Sequence, residues 1–222
     1  LNPERKDYLK LYKTHRIIDW KDRFNLLWME ADDVDNAYAF ACGQLQFAMQ
    51  CAAKARKEAD NQCKHRVIPR SINKDGSLRM IHPHDWCSGF FPGSLWQVYA
   101  YTNDDFWRQQ AISNTWLIEE AKWHKGTHDL GFMMNNSFGK AYQLTDVVLQ
   151  SAKTLITRYN KKVKSIRSWD HNRDKWKFPV IIDNLMNLEM LFWATQETGD
   201  SIYWKVAVNH ANTTMKNHFR PD

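Results

Sequence analysis

Apolar residues recur every three or four positions along most of the chain, the spacing that lines one face of an α-helix. "DNAYAFACGQLQFAMQCAAKARKEAD" carries this pattern over residues 35–60, with charges gathering at its end. "SLWQVYAYTND" predicts a shorter helix over 94–102 after a Pro-Gly turn. "DDFWRQQAISNTWLIEEAKWH" predicts another, capped by Asp104 or Asp105 and running to about Trp123. Further helices are predicted over 137–159, over 183–199 with Gly199 as C-cap, and over 200–219. Strand signals are few: "SIRSW" and "FPVII" read as extended connections rather than as a sheet. The first 30 residues are mixed, with helical stretches. No low-complexity segment or linker divides the chain, so residues 1–222 read as a single all-α domain.

The helices come in pairs, each opened by a long irregular loop. "HPHDWCSGFFPG" opens one unit, "KGTHDLGFMMNNS" the next and "SWDHNRDKWKFPVIID" the third. Trp86 and Asp129 lie 43 positions apart, Asp129 and Asp183 54. This is a weak repeat of helical hairpins, which stack into an open solenoid or close into an α/α toroid. In either arrangement the three loops gather at one end and form a composite pocket. Loops this long within a compact domain are usually functional.

Composition sharpens this picture in two ways. The 11 tryptophans exceed what packing usually requires, and exposed indoles suit flat ligands such as sugar rings. The formal net charge is +6, which favours anionic partners. The positive charge is dispersed; its densest cluster, "RYNKKVKSIR", ends a helical pattern, so a nucleic-acid-binding stripe is not expected. No apolar run is long enough to span a bilayer. Cys42, Cys51, Cys63 and Cys87 lack CxxC or zinc-type spacing and are expected as free, mostly buried thiols.

Candidate chemistry lies in the three loops. Trp86 and Phe90 in the first either stack on a sugar ring or plug the space between helices. In the second, Asp129 beside His128 either closes an Asx-turn on backbone N–H groups or faces a ligand. In the third, Asp183 joins an apolar extended run to a helix. It either caps that helix or, held against Val180, Ile181 and Ile182, acts as a proton donor whose ionised form is disfavoured. Trp169 and Trp176 flank "DHNRDK" as platforms or lids. His210 and His218 read as satisfied histidines rather than a metal pair. Two carboxyl groups in an aromatic cleft suit acid/base work on carbohydrate.

"DWCSGFFPGSLW", "THDLGF" and "IIDNLMNLEML", together with "PRSINKDGSLR" ahead of them, closely resemble glycoside hydrolase family 88, the unsaturated glucuronyl hydrolases. The resemblance runs in order from about Pro69 to the end of the chain. It implies an (α/α)6 toroid and removal of a 4,5-unsaturated uronic acid from the non-reducing end of oligosaccharides left by polysaccharide lyases. It also implies Asp183 as general acid/base, Asp129 as partner carboxylate with His128 beside it, and Trp86, Phe90 and Trp169 in the sugar subsite. No metal or organic cofactor is implied, and the partner is an anionic, unsaturated uronyl oligosaccharide. The setting expected for such chemistry is the bacterial periplasm, with the cytoplasm as the alternative. Family members run to nearly twice this length, so roughly three to four of the six hairpins are expected, as the N-terminal part of the ring. Two other readings stand beside this one: an unsaturated rhamnogalacturonyl hydrolase, and a non-catalytic carbohydrate-binding toroid.

Overall fold

The computed structural model of the chain describes residues 34–61, 63–141 and 145–220. The mixed helical stretches expected in the first 30 residues lie outside these. Helix α1, Val34–Glu58, leads into an antiparallel hairpin of β1, Ile68–Ile72, and β2, Leu78–Ile81. Helices α2, Phe90–Thr102, and α3, Asp105–Trp116, form a helical hairpin. A 3₁₀ turn, Glu119–Trp123, and a π turn, Gly131–Asn135, precede α4, Thr145–Ile156. The two-residue strands β3, Tyr159–Asn160, and β4, Ser165–Ile166, pair next. A 3₁₀ turn, Ile182–Asn187, then leads into the second helical hairpin, α5, Leu188–Thr198, and α6, Ser201–His218.

Both helical hairpins turn by the same device. The first helix ends on a left-handed residue, Asn103 at φ 51° or Gly199 at φ 70°, whose N–H returns to a carbonyl of the last turn. An aspartate then caps the second helix: Asp104 accepts from Phe106 N–H and Asp200 from Ile202 N–H, each at 2.9 Å. Cap and left-handed residue together fix the reversal, so α2 packs along α3 and α5 along α6. Asp200→Ala is expected to lower unfolding stability by about 1 kcal/mol, measurable by denaturant titration.

Two apolar clusters follow. Leu95, Trp96, Val98, Trp107 and Ala111 fill the α2–α3 hairpin and meet Cys42 of α1. The indole N–H of Trp96 donates to Thr115 Oγ1 at 2.9 Å, so this buried tryptophan leaves no unpaired donor. The larger cluster joins Met133, Met134 and Phe138 to Leu155, Ile166, Met190, Leu191 and Val206. It lies directly beneath the second and third loops and gives them a rigid floor.

The structure corrects several sequence-based expectations. A β-hairpin occupies "IPRSINKDGSLRMI", where no strand was expected. Its turn is built by Asp75, which accepts from Ser77 N–H at 2.9 Å, and by Gly76 at φ 83°. "SIRSW" pairs as a strand at Ser165–Ile166, whereas "FPVII" is a connection, as expected, whose last residue, Ile182, opens a 3₁₀ turn. Helix α2 begins four residues early, because Pro92 falls within its first turn, where its missing N–H costs nothing. The helix expected to Trp123 ends at Trp116 and passes into a 3₁₀ turn; of the stretch 137–159, Phe138–Lys140 is a 3₁₀ turn and Thr145–Ile156 is α-helical. The 183–199 helix starts only at Leu188. None of the four cysteines is in a disulfide, but only Cys42 is buried; Cys51, Cys63 and Cys87 are half-buried. Among the described residues no helix is long and apolar enough to cross a membrane.

Candidate active site

The first loop is tied down by Asp85. Its carboxylate accepts from Cys87 N–H at 3.0 Å and from the Arg70 guanidinium at 3.0 Å. The turn so formed presents Trp86, whose indole meets Phe90 edge-on at 6.0 Å and Phe132 at 5.9 Å. Arg70 lies over the same indole at 5.7 Å. Trp86 and Phe90 remain 46% and 41% exposed, so neither is buried between helices. Gly89 lets this loop press onto the second one: a Cβ there would lie 2.2 Å from the Met133 carbonyl oxygen.

The second loop is held from below. Buried Arg158 donates to the Lys125 carbonyl, to the Arg167 carbonyl at 2.8 Å and to the Asp170 carboxylate at 2.8 Å. His128 N–H donates to the Ser168 carbonyl at 3.0 Å, and Thr127 bridges Trp169. Trp169 thereby sits beside the loop, half-buried, with His171 stacked at 5.3 Å and Trp176 edge-on at 6.1 Å. The Asp129 side chain closes no Asx-turn; it accepts from the Thr127 hydroxyl and from His128.

The third loop arrives through two buried asparagines. Asn184 donates to the Ile166 carbonyl at 2.8 Å, and Asn187 donates to Asn184. Asn187 Oδ1 in turn accepts from Gly131 N–H at 2.8 Å, which joins the third loop to the second. The approach is so close that a Cβ on Gly131 would lie 2.6 Å from Asn187 Oδ1 and 2.9 Å from its Cα. Asp183 is not a helix cap: Ile181 holds the position before the 3₁₀ turn, and the Asp183 side chain is left to face the second loop. The apolar run before it shields it less than expected, since Ile182 is 49% exposed.

These supports bring three groups together. His128, 2% exposed, sets its Nε2 3.1 Å from Asp129 Oδ1 and 3.7 Å from Asp183 Oδ1. Nε2–H donates to Asp129, while Asp183 Oδ1 is buried without a hydrogen-bond partner. The two carboxyl groups therefore differ. Burial raises Asp183 above the ordinary carboxylate range; the His128 imidazole opposes that rise and the Asp129 charge adds to it. Burial also acts on Asp129, but the hydrogen bond and charge of His128 and the Thr127 hydroxyl outweigh it and hold Asp129 below the usual range. Neighbouring carboxyls with pKa values pushed apart are the pattern of an acid beside an ionised partner. The same three residues also offer ligand atoms within 4.8 Å of one another, a spacing a divalent cation could bridge.

All six candidate residues lie in or beside this composite site, although His128 is buried between the carboxyls rather than displayed. Phe132, Gly131, Asn184 and Asn187 were not singled out from sequence. The asparagines at three-residue spacing inside an apolar run were the available signal. His210 is a satisfied core histidine: its Nδ1 accepts from Ile166 N–H at 3.1 Å, and burial pushes its pKa down to about 4. His218 lies exposed with its Nε2 3.3 Å from the Val180 carbonyl.

Comparison with known proteins gives this geometry a context. No family model matches the chain. An unsaturated glucuronyl hydrolase of Formosa agariphila is 54% identical over 163 residues, covering 70% of this chain and 41% of the relative. An unsaturated chondroitin disaccharide hydrolase of Streptococcus pneumoniae is 32% identical over 164 residues, again 70% and 41%. Among solved structures, an unsaturated glucuronyl hydrolase specific for heparin superposes with a TM-score of 0.67 and 42% identity. It covers 80% of this chain and 48% of that one. The chain thus spans about two-fifths of the length of these curated relatives. Its mainly helical fold, with hairpins of adjacent helices, is part of the α/α toroid of those enzymes. By sequence and by fold the chain is a homologue of the unsaturated glucuronyl hydrolases over the part of their length that it spans.

Proposed function

We propose that the chain carries the catalytic carboxyl groups of an unsaturated glucuronyl hydrolase, acting on oligosaccharides that end in a 4,5-unsaturated uronic acid. The observation that carries this reading is the asymmetric pair: Asp183, raised by burial, faces Asp129, held ionised by His128, beside the aromatic surface of Trp86, Phe90 and Phe132. The relatives' names supply the substrate class.

The substrate carries a vinyl ether, with C4=C5 next to the ring oxygen. Protonated Asp183 delivers its proton to C4, and positive charge develops at C5 and the ring oxygen. The Asp183 carboxylate then takes a proton from the water that attacks C5. The hemiketal so formed opens and releases the remaining sugar chain as an alcohol. Asp183 ends protonated, ready for the next turn, and no step requires a Lewis acid or an organic cofactor. Asp129 keeps its negative charge throughout, which favours the protonated form of Asp183 and stabilises the cationic centre. Trp86, Phe90 and Trp169 stack on the sugar. The anionic substrate suits the positive net charge, and a periplasmic or cytoplasmic setting is compatible with this activity.

The reading is tested by mixing the protein with unsaturated chondroitin or heparin disaccharides and following the ultraviolet absorbance of the conjugated double bond. Saturable loss of absorbance is expected; oligosaccharide binding with the double bond intact would instead mark a carbohydrate-binding toroid. The pH profile gives a second prediction. Rate falls at low pH as Asp129 gains its proton, and at high pH as Asp183 loses its own. Asp129→Asn removes one of the influences raising Asp183, so the alkaline limb is expected to move to lower pH in kcat/KM profiles. An unmoved alkaline limb would remove Asp129 from that role.

A further inference from the structure

On the other side of the first loop lies a second cluster that the proposed reaction does not use. His82 and His84, from "HPH" directly after β2, both set Nε2 3.9 Å from Glu120 Oε1. The three residues offer ligand atoms within 4.8 Å of one another. The two imidazoles meet edge-on at 4.7 Å, and His124 stacks on His84 at 4.3 Å with the rings 10° from parallel. The side chains are 44%, 39% and 60% exposed, so an ion can reach them. Their backbones are anchored, because Ile81 before His82 and Ala121 after Glu120 are both buried in the larger core.

We propose that His82, His84 and Glu120 form a zinc-binding clip between the loop that carries Trp86 and the turn that leads to His128 and Asp129. Two imidazoles and a carboxylate are a donor set suited to a borderline divalent ion, with a fourth position open to water. Metal–ligand bonds of about 2.0–2.2 Å place neighbouring donors roughly 3.3 Å apart in a tetrahedron. The 3.9 Å separations therefore close by a small rotation of exposed side chains. His82 Nδ1 accepts from His84 N–H at 3.1 Å, so loading requires the His82 ring to give up this bond at a position where water replaces it. The stacked His124 ring limits the tilt of His84. Glu120 comes from the turn after α3, so the ion ties two segments that otherwise meet through side-chain packing. This inference stands apart from the proposed activity, because the clip touches neither carboxyl of the candidate active site.

The test is zinc titration of chelator-treated protein by calorimetry, paired with thermal unfolding. One zinc ion per chain and a raised midpoint are expected for the wild type. His82→Asn/His84→Asn should lose both, and Glu120→Gln should bind roughly tenfold more weakly or worse. Asp183→Asn should bind zinc as the wild type does. Copper substituted into the wild-type site should show hyperfine coupling to two imidazole nitrogens in its electron paramagnetic resonance spectrum, a readout independent of whether the variants fold. Absence of zinc binding, equal binding by the double histidine variant, or loss of binding in Asp183→Asn overturns the proposal.

Discussion

Asp183→Asn is expected to lower turnover of unsaturated disaccharides by on the order of 10²–10⁴-fold or more, the range general acid–base groups supply. The carboxyl is asked to act twice, first giving a proton to C4 and then taking one from water, and an amide can do neither. The variant should not lose stability. Burial and the Asp129 charge place the folded-state pKa of Asp183 above its unfolded value. Its contribution to stability is therefore present at low pH and lost as pH rises through the folded value. Above that folded value the ionised carboxylate is a burden that asparagine lacks, so denaturant midpoints at or above wild type are expected there. Wild-type turnover in Asp183→Asn would end its assignment as the acid.

Gly131→Ala should have the second-largest effect, through position rather than chemistry. Gly131 is where the loop bearing Asp129 rests on the turn bearing Asp183, with its N–H bonded to Asn187. An added Cβ would meet Asn187 Oδ1 at 2.6 Å, Asn187 Cα at 2.9 Å and the Met186 carbonyl oxygen at 3.0 Å. Two of these are backbone atoms, so the elements themselves must move apart. A shift of about 1 Å at reacting groups can cost on the order of 10²-fold in rate. Overpacking should also lower stability by about 1–3 kcal/mol. Loss of kcat with the alkaline limb of the pH profile moved down would report separation of the two carboxyls. Unchanged kcat and stability would show that the contact does not set the geometry.

Much of this was legible in the chain, for physical reasons. The tight reversals at Asn103–Asp104 and Gly199–Asp200 use local capping chemistry, so the helical hairpins could be read from spacing and turn residues. The resemblance of "THDLGF" and "IIDNLMNLEML" pointed to Asp129 and Asp183. Less legible were features decided by distant contacts. The helix expected from Asp183 begins instead as a 3₁₀ turn, and its asparagines bond to Ile166 and Gly131, far away in sequence. Phe132 looks like an ordinary apolar residue until Trp86 arrives from the preceding unit. The β1–β2 hairpin, by contrast, carries a local signal, Asp75-Gly76 between apolar stretches, the turn chemistry of a tight hairpin.

The central claim is that Asp183 protonates C4 of the unsaturated sugar, so that the bond breaks by hydration rather than by displacement at the anomeric carbon. The most direct measurement is turnover in heavy water with the product analysed by NMR. The account predicts one deuterium at C4, delivered to a single face, and no such labelling with Asp183→Asn. Deuterium spread over both faces of C4 from the first turnovers, as solvent tautomerisation of a sugar cut at the anomeric carbon would give, would contradict it.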